Sequence, residues 1–221
     1  MTKTVEFFFD VGSPAAYLAW TQLPSMCSKA GGSIDFKPML LGGVFQATGN
    51  QSPMTVAAKG KYVLGDLERH ALRYGVPFLH NPHFPINTLT LMRGATAVQM
   101  HQPERFAAYV GAVFRAIWVD QMNMNDPQVV ASVLQAAGFD PAALLAQAAD
   151  PQVKERLKQV TQDAVARGVF GAPTFFVDGQ MFWGQDRLDF VKEMLMNPHA
   201  HIRSLPPEGV ASLEAARREA S

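Results

Sequence analysis

The chain of 221 residues is 48% hydrophobic, so it can bury a sizeable core as one domain or as one domain with a large insertion. Its 19 lysines and arginines balance its 19 aspartates and glutamates, and this formal net charge of zero argues against nucleic acid or an acidic membrane surface as the main partner. Because the sequence has one cysteine, no secretory signal and no apolar run of transmembrane length, we expect a soluble cytoplasmic protein without an intrachain disulfide.

The first elements predict a β-α-β unit. The apolar run at residues 5–9 predicts a buried strand, and the alternating pattern at residues 34–39 predicts a second. Residues 13–29 predict a helix between them, because Ser13 is a favoured N-cap residue and Pro14 fits the first helical position. The N-terminus of a helix that follows a strand presents free backbone N–H groups and a partial positive charge, which suit an anion or a thiolate. The chain supplies no thiol of its own at this point.

The middle of the chain predicts a helical region. Residues 59–74 are one candidate helix, and apolar residues at three- and four-residue spacings predict another at 106–118. Three Asp-Pro pairs predict further helix starts, at residues 126–127, 140–141 and 150–151. Gly75 ends the first of these helices, and Gly168 ends the last.

The last third of the chain predicts a β-hairpin and a closing helix. Asp178-Gly179 predicts a tight turn between strands at 174–177 and 180–183. Pro173 directly precedes the first of these strands, at a position that permits a cis peptide bond. Apolar residues at 188–195 predict the closing helix. A strand–Ser-Pro–helix unit that is followed, after a long gap, by Pro–strand–hairpin–helix has the order of a thioredoxin-like fold.

Ser13 is the first candidate for chemistry. Helix capping alone explains a serine at this position and is the ordinary interpretation. The same hydroxyl can accept from a backbone N–H and also donate to a bound thiolate, and such donation lowers the pKa of a thiol. A role as a hydrolytic nucleophile is not indicated, because no histidine base accompanies Ser13 in the local motif.

Cys27 is not the expected nucleophile. It lies near the end of the first predicted helix, where a lone cysteine is more often a small buried hydrophobic residue. Ala16 occupies the second position of what would be a C-P-x-C redox pair, and one cysteine cannot form an internal disulfide, so dithiol oxidoreductase activity is excluded. The six histidines show no metal-ligand spacing, so we predict no metal.

Several segments, in their order and spacing, resemble the 2-hydroxychromene-2-carboxylate isomerases. These segments are Ser13-Pro14-x-x-Tyr17, Gly171-Ala172-Pro173-Thr174-Phe175 and Trp183-Gly184-Gln185-Asp186-Arg187-Leu188. A middle stretch, Gly49-Asn50 through Lys59-Gly60-x-Tyr62 to Asp66-Leu67, looks like the insertion of the kappa-class glutathione transferases, which are close relatives within the DsbA-like thioredoxin superfamily. The resemblance covers roughly residues 3–195.

The fold expected from these signals is α/β, a thioredoxin-like fold interrupted by a large all-helical insertion. We assign residues 1–42 and 169–200 to the thioredoxin-like domain and residues 43–168 to the helical insertion domain. Residues 201–221 are expected to form a C-terminal tail, as a short exposed helix or a partly disordered segment. We also expect a homodimer, and nothing in the residues themselves sets the oligomeric state.

The resemblance implies that glutathione is the cofactor. The glutathione-binding residues that it implies are Ser13, Asn50, Lys59, Ala172, Pro173, Gln185 and Asp186. Ser13 would stabilise the thiolate as the catalytic residue, the Ala172-Pro173 backbone would pair with the cysteinyl residue, and the last two residues of the set would hold the γ-glutamyl end. The side-chain amide of Asn50 and the ammonium group of Lys59 would bind the glycyl carboxylate. Purely structural roles remain open for the same residues. Ala172-Pro173 can be a turn that shapes the sheet, Asp186 can be an N-cap, Asn50 can belong to a loop turn and Lys59 can be an ordinary surface lysine.

The organic substrate would need an aromatic wall. The candidates are Phe45, Tyr62, Tyr74, Asn87, Trp118 and Phe170. Trp118 lies on an apolar helix face, where core packing explains it equally well, and Asn87 also fits the cap of the following helix. Val11-Gly12 and Ala15-Ala16 are smaller than the residues expected beside Ser13, so the pocket shape and the substrate can differ from those of the family.

The activity implied by the resemblance is that of a glutathione-dependent isomerase of aromatic-hydrocarbon breakdown of the naphthalene type. It would interconvert 2-hydroxychromene-2-carboxylate and trans-o-hydroxybenzylidenepyruvate by reversible thiolate addition, with glutathione regenerated. Two alternatives stay open. A kappa-class glutathione transferase would use the same thiolate and release a conjugate, whereas a redox-inactive thioredoxin-like module would only bind a partner.

Overall fold

The sheet at the centre of the fold has four strands in the computed structural model, which describes residues 3–197. β1 (Thr4–Phe9) pairs in parallel with β2 (Ser33–Pro38). β3 (Thr174–Val177) pairs antiparallel with β1 and with β4 (Gln180–Trp183), which gives the order β2-β1-β3-β4. Both predicted halves of the sheet are therefore present, and they meet at β1 and β3.

Nine α-helices lie in the described part of the chain. The first three, α1 to α3, span Pro14–Lys29, Leu41–Thr48 and Ala57–Tyr74. The next five, α4 to α8, span Leu89–His101, Phe106–Trp118, Pro127–Ala136, Pro141–Ala149 and Pro151–Ala166. The last, α9, spans Leu188–Met196. α2 contains the expected domain boundary between residues 42 and 43, and α3 to α8 form the helical insertion.

Aspartate side chains begin three helices of the insertion. Asp126, Asp140 and Asp150 each accept a hydrogen bond from the backbone N–H two residues ahead, at 2.8, 2.9 and 2.7 Å. The proline after each aspartate takes the first helical position, where no N–H is needed. Gly75 ends α3 in the left-handed conformation, with φ of 66°. These predicted starts and this predicted end are confirmed.

The predicted hairpin turn is also confirmed. Asp178 and Gly179 join β3 to β4 with φ of 49° and 79°. Positive φ at both central residues matches the right-handed twist of the flanking strands, and Asp-Gly is one of the pairs that tolerate it. The turn returns the chain so that Trp183, at the end of β4, pairs with Thr174 at the start of β3.

The sheet separates two apolar layers. Because successive strand residues point to opposite faces, Phe7 and Phe9 enter the larger layer while Phe8 enters the smaller. Phe7 stacks on Phe175 of β3 with ring centroids 5.2 Å apart. The larger layer is covered by α1, α4, α5 and α9. The smaller layer is covered by α2 and α8, through residues such as Val44.

Three further observations concern the expected class of the protein. Within residues 3–197, no single helix is long and apolar enough to cross a membrane, and α6 and α7 meet that criterion only as a pair bent by 117°. In the same range, no group of three or more His, Cys, Asp or Glu side chains is placed to hold a metal ion. The expected tail, residues 201–221, lies outside the described residues.

Candidate active site

Ser13 caps the first helix and also reaches across to the other half of the sheet. Its backbone is extended, with φ of −93° and ψ of 115°, and its Oγ accepts a hydrogen bond from Ala16 N at 3.2 Å. The same Oγ donates to the carbonyl oxygen of Ala172 at 2.9 Å. Capping and a second polar contact therefore coexist. The hydroxyl has a single proton, so Ser13 would have to turn its hydrogen bond from Ala172 O to a bound anion in order to donate to that anion.

The first turn of α1 keeps one backbone donor open. Pro14 has no N–H, and Ala16 N–H is satisfied by the Ser13 hydroxyl. Ala15 N–H, at the second helical position, makes no hydrogen bond within residues 3–197. Ala15 is half-exposed. An anion beside Ser13 could therefore take this N–H and the positive end of the helix together.

The Ala172-Pro173 segment faces this helix start. Its peptide bond is cis. Ala172 is half-exposed, and its N–H makes no hydrogen bond in the described part of the chain, while its carbonyl receives Ser13. The Pro173 carbonyl accepts from Gly184 N at 3.0 Å, which joins the segment to the end of β4. The structure thus brings Ser13, Ala172 and Pro173 together, and their roles in binding glutathione stay a prediction.

Gln185 and Asp186 follow directly from this joint. Gly184 has φ of 104°, a conformation that glycine adopts readily, and it turns the chain out of β4. Gln185 is buried, and its carbonyl accepts from the Tyr74 hydroxyl at 3.0 Å. Asp186 is exposed and pairs with Arg187 at 2.6 Å. Asp186 does not cap α9, whose N-cap residue is Arg187, so the predicted capping role is wrong.

A cleft of about 320 Å³ opens beside these residues, between α1, α3 and the start of α9. Tyr74 lines it, and burial together with the negative charges of Asp186 and Asp189 raises the pKa of the Tyr74 hydroxyl. The phenol therefore remains protonated and keeps its bond to Gln185. Tyr74 was predicted as an aromatic wall, and in the structure it supports the backbone at the predicted γ-glutamyl end.

Asn50 ties the insertion to the segment before Ala172. It follows Gly49, which ends α2 in the left-handed conformation, and its Nδ2 donates to Phe170 O at 2.8 Å. Phe170 in turn packs on Trp183 with ring centroids 5.0 Å apart. Lys59 lies exposed on the first turn of α3 and makes no ion pair within residues 3–197. No hydrogen bond or ion pair in that range joins Lys59 to the other predicted residues.

The remaining predicted pocket residues are scattered. Phe45 is half-buried on α2, Tyr62 is 67% exposed on α3, and Asn87 is exposed and binds Leu89 N at 3.2 Å through its side chain. Trp118 is 1% exposed and lies in the core. A larger groove of about 810 Å³ between α2 and α8 contains none of the predicted pocket residues. The position of Trp118 does not support a role as a pocket wall.

Comparison with known proteins identifies the family. The model of the DsbA-like thioredoxin domain matches residues 4–196. The chain belongs to the DsbA-like thioredoxin family. A 2-hydroxychromene-2-carboxylate isomerase of Sphingobium xenophagum is 34% identical over 199 residues, which cover 89% of this chain and 100% of that protein. Human glutathione S-transferase kappa 1 is 30% identical over 213 residues, which cover 88% of this chain and 92% of that protein.

A solved structure agrees with this assignment. That of a selenomethionine 2-hydroxychromene-2-carboxylate isomerase matches with a TM-score of 0.78 and 30% identity, over 87% of this chain and 94% of that one. This DsbA-like chain therefore groups with the 2-hydroxychromene-2-carboxylate isomerases and the kappa-class glutathione transferases. The predicted α/β fold of thioredoxin type with a helical insertion is confirmed.

The one cysteine of this DsbA-like chain is buried and unreactive. Cys27 is 2% exposed on α1, and burial raises the pKa of its thiol to about 11. The thiol is therefore protonated at neutral pH, and a protonated thiol is a poor nucleophile. Its placement agrees with the predicted interpretation as a small buried hydrophobic residue.

Asp10 and Thr88 are two buried polar residues near Ser13 that were not predicted as site residues. Asp10 is 1% exposed, and its carboxylate accepts from Gly12 N at 2.9 Å, from Leu41 N at 2.8 Å and from the Thr88 hydroxyl at 3.0 Å. Burial raises the pKa of Asp10, although these hydrogen bonds oppose the shift. Ser13 N–H donates to the Asp10 carbonyl at 3.0 Å. An acidic residue that ends an apolar strand was the available signal.

Proposed function

We propose that the protein is a glutathione-dependent isomerase that interconverts 2-hydroxychromene-2-carboxylate and trans-o-hydroxybenzylidenepyruvate. The observation that supports this most directly is the donor set at the start of α1. Ser13 Oγ–H and Ala15 N–H both lie at the start of α1, next to Ala172, whose carbonyl accepts from Ser13; within residues 3–197 neither Ala15 N–H nor Ala172 N–H has a hydrogen-bond partner. The chain itself has no thiol there, because its only cysteine is the buried Cys27.

The donor chemistry fits glutathione. Ser13 Oγ–H and Ala15 N–H would stabilise the sulfur as a thiolate, because hydrogen bonds to the charged form favour it. Ala172 offers an N–H and a carbonyl to the cysteinyl backbone, in the manner of strand addition. When bound, glutathione supplies the nucleophilic thiolate that adds reversibly to the conjugated carbon of the substrate and so permits rotation about the former double bond.

Opposite charges stand side by side where the γ-glutamyl end would lie. That end of glutathione carries an ammonium and a carboxylate, and Asp186 and Arg187 present a carboxylate and a guanidinium 2.6 Å apart. The exposed Lys59 and Asn50 would serve the glycyl carboxylate. The protein's own contribution to the reaction is to hold the proton of Ser13 toward the sulfur and to keep both reactants in one place.

A kappa-class transferase is the second candidate, since human glutathione S-transferase kappa 1 is 30% identical over most of the chain. Both activities use the same thiolate. They differ in the fate of glutathione, which an isomerase returns and a transferase consumes.

The test measures substrate, product and glutathione in one incubation. We expect many turnovers of trans-o-hydroxybenzylidenepyruvate per glutathione, with the glutathione recovered. Consumption of one glutathione per product would support the transferase instead. Titration calorimetry is run in parallel, and a failure to bind glutathione would refute both and favour a redox-inactive binding module.

A further inference from the structure

The segment between β1 and α1 is held by helices of the insertion. Trp118, at the end of α5, donates its Nε1–H to the Val11 carbonyl at 2.9 Å. Thr88, which precedes α4, donates its hydroxyl to the Asp10 carboxylate at 3.0 Å. The Sδ of Met92 on α4 lies 3.4 Å from Val11 N as its acceptor. All three contacts are buried, and they join parts of the chain that are 78 to 107 residues apart.

The Trp118 contact bears directly on the open donor of the site. The Val11 carbonyl stands four residues before Ala15, so it is the acceptor that Ala15 N–H would use if α1 began two residues earlier. In the structure this carbonyl receives the indole of Trp118, and Ala15 N–H has no partner within residues 3–197. The Trp118 bond thus occupies the carbonyl that would otherwise extend α1 toward its N-terminus, and Ala15 N–H is left without a partner in the described residues.

The Thr88 contact bears on the position of Ser13 itself. Asp10 accepts from Gly12 N and from Thr88, and its carbonyl receives Ser13 N. A Cβ on Gly12 would lie 2.9 Å from the Thr88 Cγ2, so only glycine allows the segment to approach Thr88 this closely. The hydroxyl and the methyl group of Thr88 therefore both fix the path of the chain that leads to Ser13.

We propose that Trp118 and Thr88 are positioning residues, which hold the 10–13 segment so that Ser13 Oγ–H and Ala15 N–H both reach a bound sulfur. This inference rests on the proposed function. Neither residue needs to touch substrate or cofactor. Trp118, which the sequence suggested as a pocket wall, acts from the core through the Val11 carbonyl, and the insertion domain contributes to the site through these two bonds.

The experiment compares the thiolate pKa of bound glutathione in four variants. Trp118→Phe keeps an aromatic ring and loses the N–H, and Thr88→Val keeps the side-chain volume and loses the hydroxyl. Ser13→Ala is the reference for a lost donor. Tyr109→Phe is the matched control, because Tyr109 is an equally buried aromatic residue of the insertion whose hydroxyl donates to Leu91 O at 2.9 Å and not to the 10–13 segment.

The readout is the ultraviolet absorbance of the thiolate against pH at saturating glutathione, with urea unfolding measured alongside. We expect Trp118→Phe and Thr88→Val each to raise the thiolate pKa by at least about half of the shift caused by Ser13→Ala, because misplaced donors favour the charged form less. Tyr109→Phe should lower the unfolding midpoint without moving this pKa. A merely structural role for Trp118 and Thr88 would give the pattern of the control.

Each result decides one question. A shift in Ser13→Ala with none in Trp118→Phe and Thr88→Val overturns the positioning role and leaves the proposed function standing. No shift in Ser13→Ala overturns the assignment of Ser13 to the sulfur, and the positioning role with it, whereas the proposed function fails only if glutathione does not bind or is consumed. If Trp118→Phe does not fold, Thr88→Val, which removes a single hydroxyl, carries the test alone.

Discussion

Replacing Ser13 by alanine removes one hydroxyl that makes two hydrogen bonds. The bond from Ala16 N, at 3.2 Å, caps α1, and the bond to Ala172 O, at 2.9 Å, joins the helix start to the segment before β3. The loss of a cap of this kind costs about 1 kcal/mol, and the loss of a neutral hydrogen bond costs about the same. We therefore expect the free energy of unfolding to fall by about 1–2 kcal/mol, which leaves the protein folded.

The same substitution should also raise the thiolate pKa of bound glutathione. A hydrogen bond to a charged group contributes about 1.5–3 kcal/mol. Since one pKa unit corresponds to about 1.4 kcal/mol, the Ser13→Ala variant should raise the thiolate pKa of bound glutathione by about one to two units. Ala15 N–H and the helix N-terminus remain, so the pKa should stay below that of free glutathione.

The assay is a pH titration of thiolate absorbance at saturating glutathione, combined with urea unfolding. Ser13→Thr should restore the low pKa, because threonine keeps both the hydroxyl and the capping ability. Asp140→Ala is the matched control, since it removes the cap of α7, with bonds at 2.9 and 3.2 Å, and α7 carries none of the predicted glutathione-binding residues. It should cost similar stability without a pKa shift. An unchanged thiolate pKa in Ser13→Ala would refute the assignment of Ser13.

Three further predictions follow from other parts of the structure. In Gly171→Ala, the new Cβ would lie 2.6 Å from Trp183 Nε1, so the indole must shift; we expect the unfolding free energy to fall by about 1–3 kcal/mol and glutathione to bind more weakly by calorimetry. Cys27, whose thiol pKa burial raises to about 11, should resist alkylation in the folded protein at neutral pH, and Cys27→Ala should keep full isomerase activity. Arg167 donates two hydrogen bonds of 2.7 Å to Glu6 and holds the pKa of that carboxyl below its usual range. This stabilisation is present at neutral pH and is lost as the pH falls through the folded-state pKa, so Glu6→Gln should lower the unfolding free energy by about 1–3 kcal/mol at neutral pH and by much less at a pH below that folded-state pKa.

The outcomes that would contradict these predictions are equally specific. Unaltered glutathione affinity in Gly171→Ala would mean that Trp183 shifts without moving the Ala172 segment. Rapid alkylation of Cys27 in the absence of denaturant would contradict its burial. An equal loss of stability in Glu6→Gln at both pH values would show that packing, rather than the ion pair with Arg167, carries the effect.

Local signals in the sequence were sufficient wherever neighbouring residues decide the structure. Ser13-Pro14 marks the start of α1, and Asp178-Gly179 marks the hairpin, because a cap and a turn depend on residues two or three positions apart. The pairing of Ser13 with Ala172 needed more. It followed from the resemblance of two separate segments to one family, since no local rule joins residues 159 positions apart.

The positions that the sequence left undecided depend on contacts between distant segments. The apolar face of α5 fits a core or a pocket equally well, and only its packing shows that Trp118 is buried with its N–H on Val11. Asp10 reads as a polar residue at a strand end until Leu41 and Thr88 are seen to donate to it. Such burial depends on how helices pack, which single-residue patterns do not encode.

The three bonds from the insertion to the 10–13 segment also bear on how the protein folds. α1 can form locally, but the segment before it reaches its final path only after α4 and α5 have docked, and contacts between residues so far apart are slow to form. The capacity to bind glutathione should therefore emerge late in refolding, after most helical structure has returned. Recombination that exchanges the insertion between relatives must carry residues 88, 92 and 118 together with residues 10–13, or it will separate a helix start from the partners that shape it.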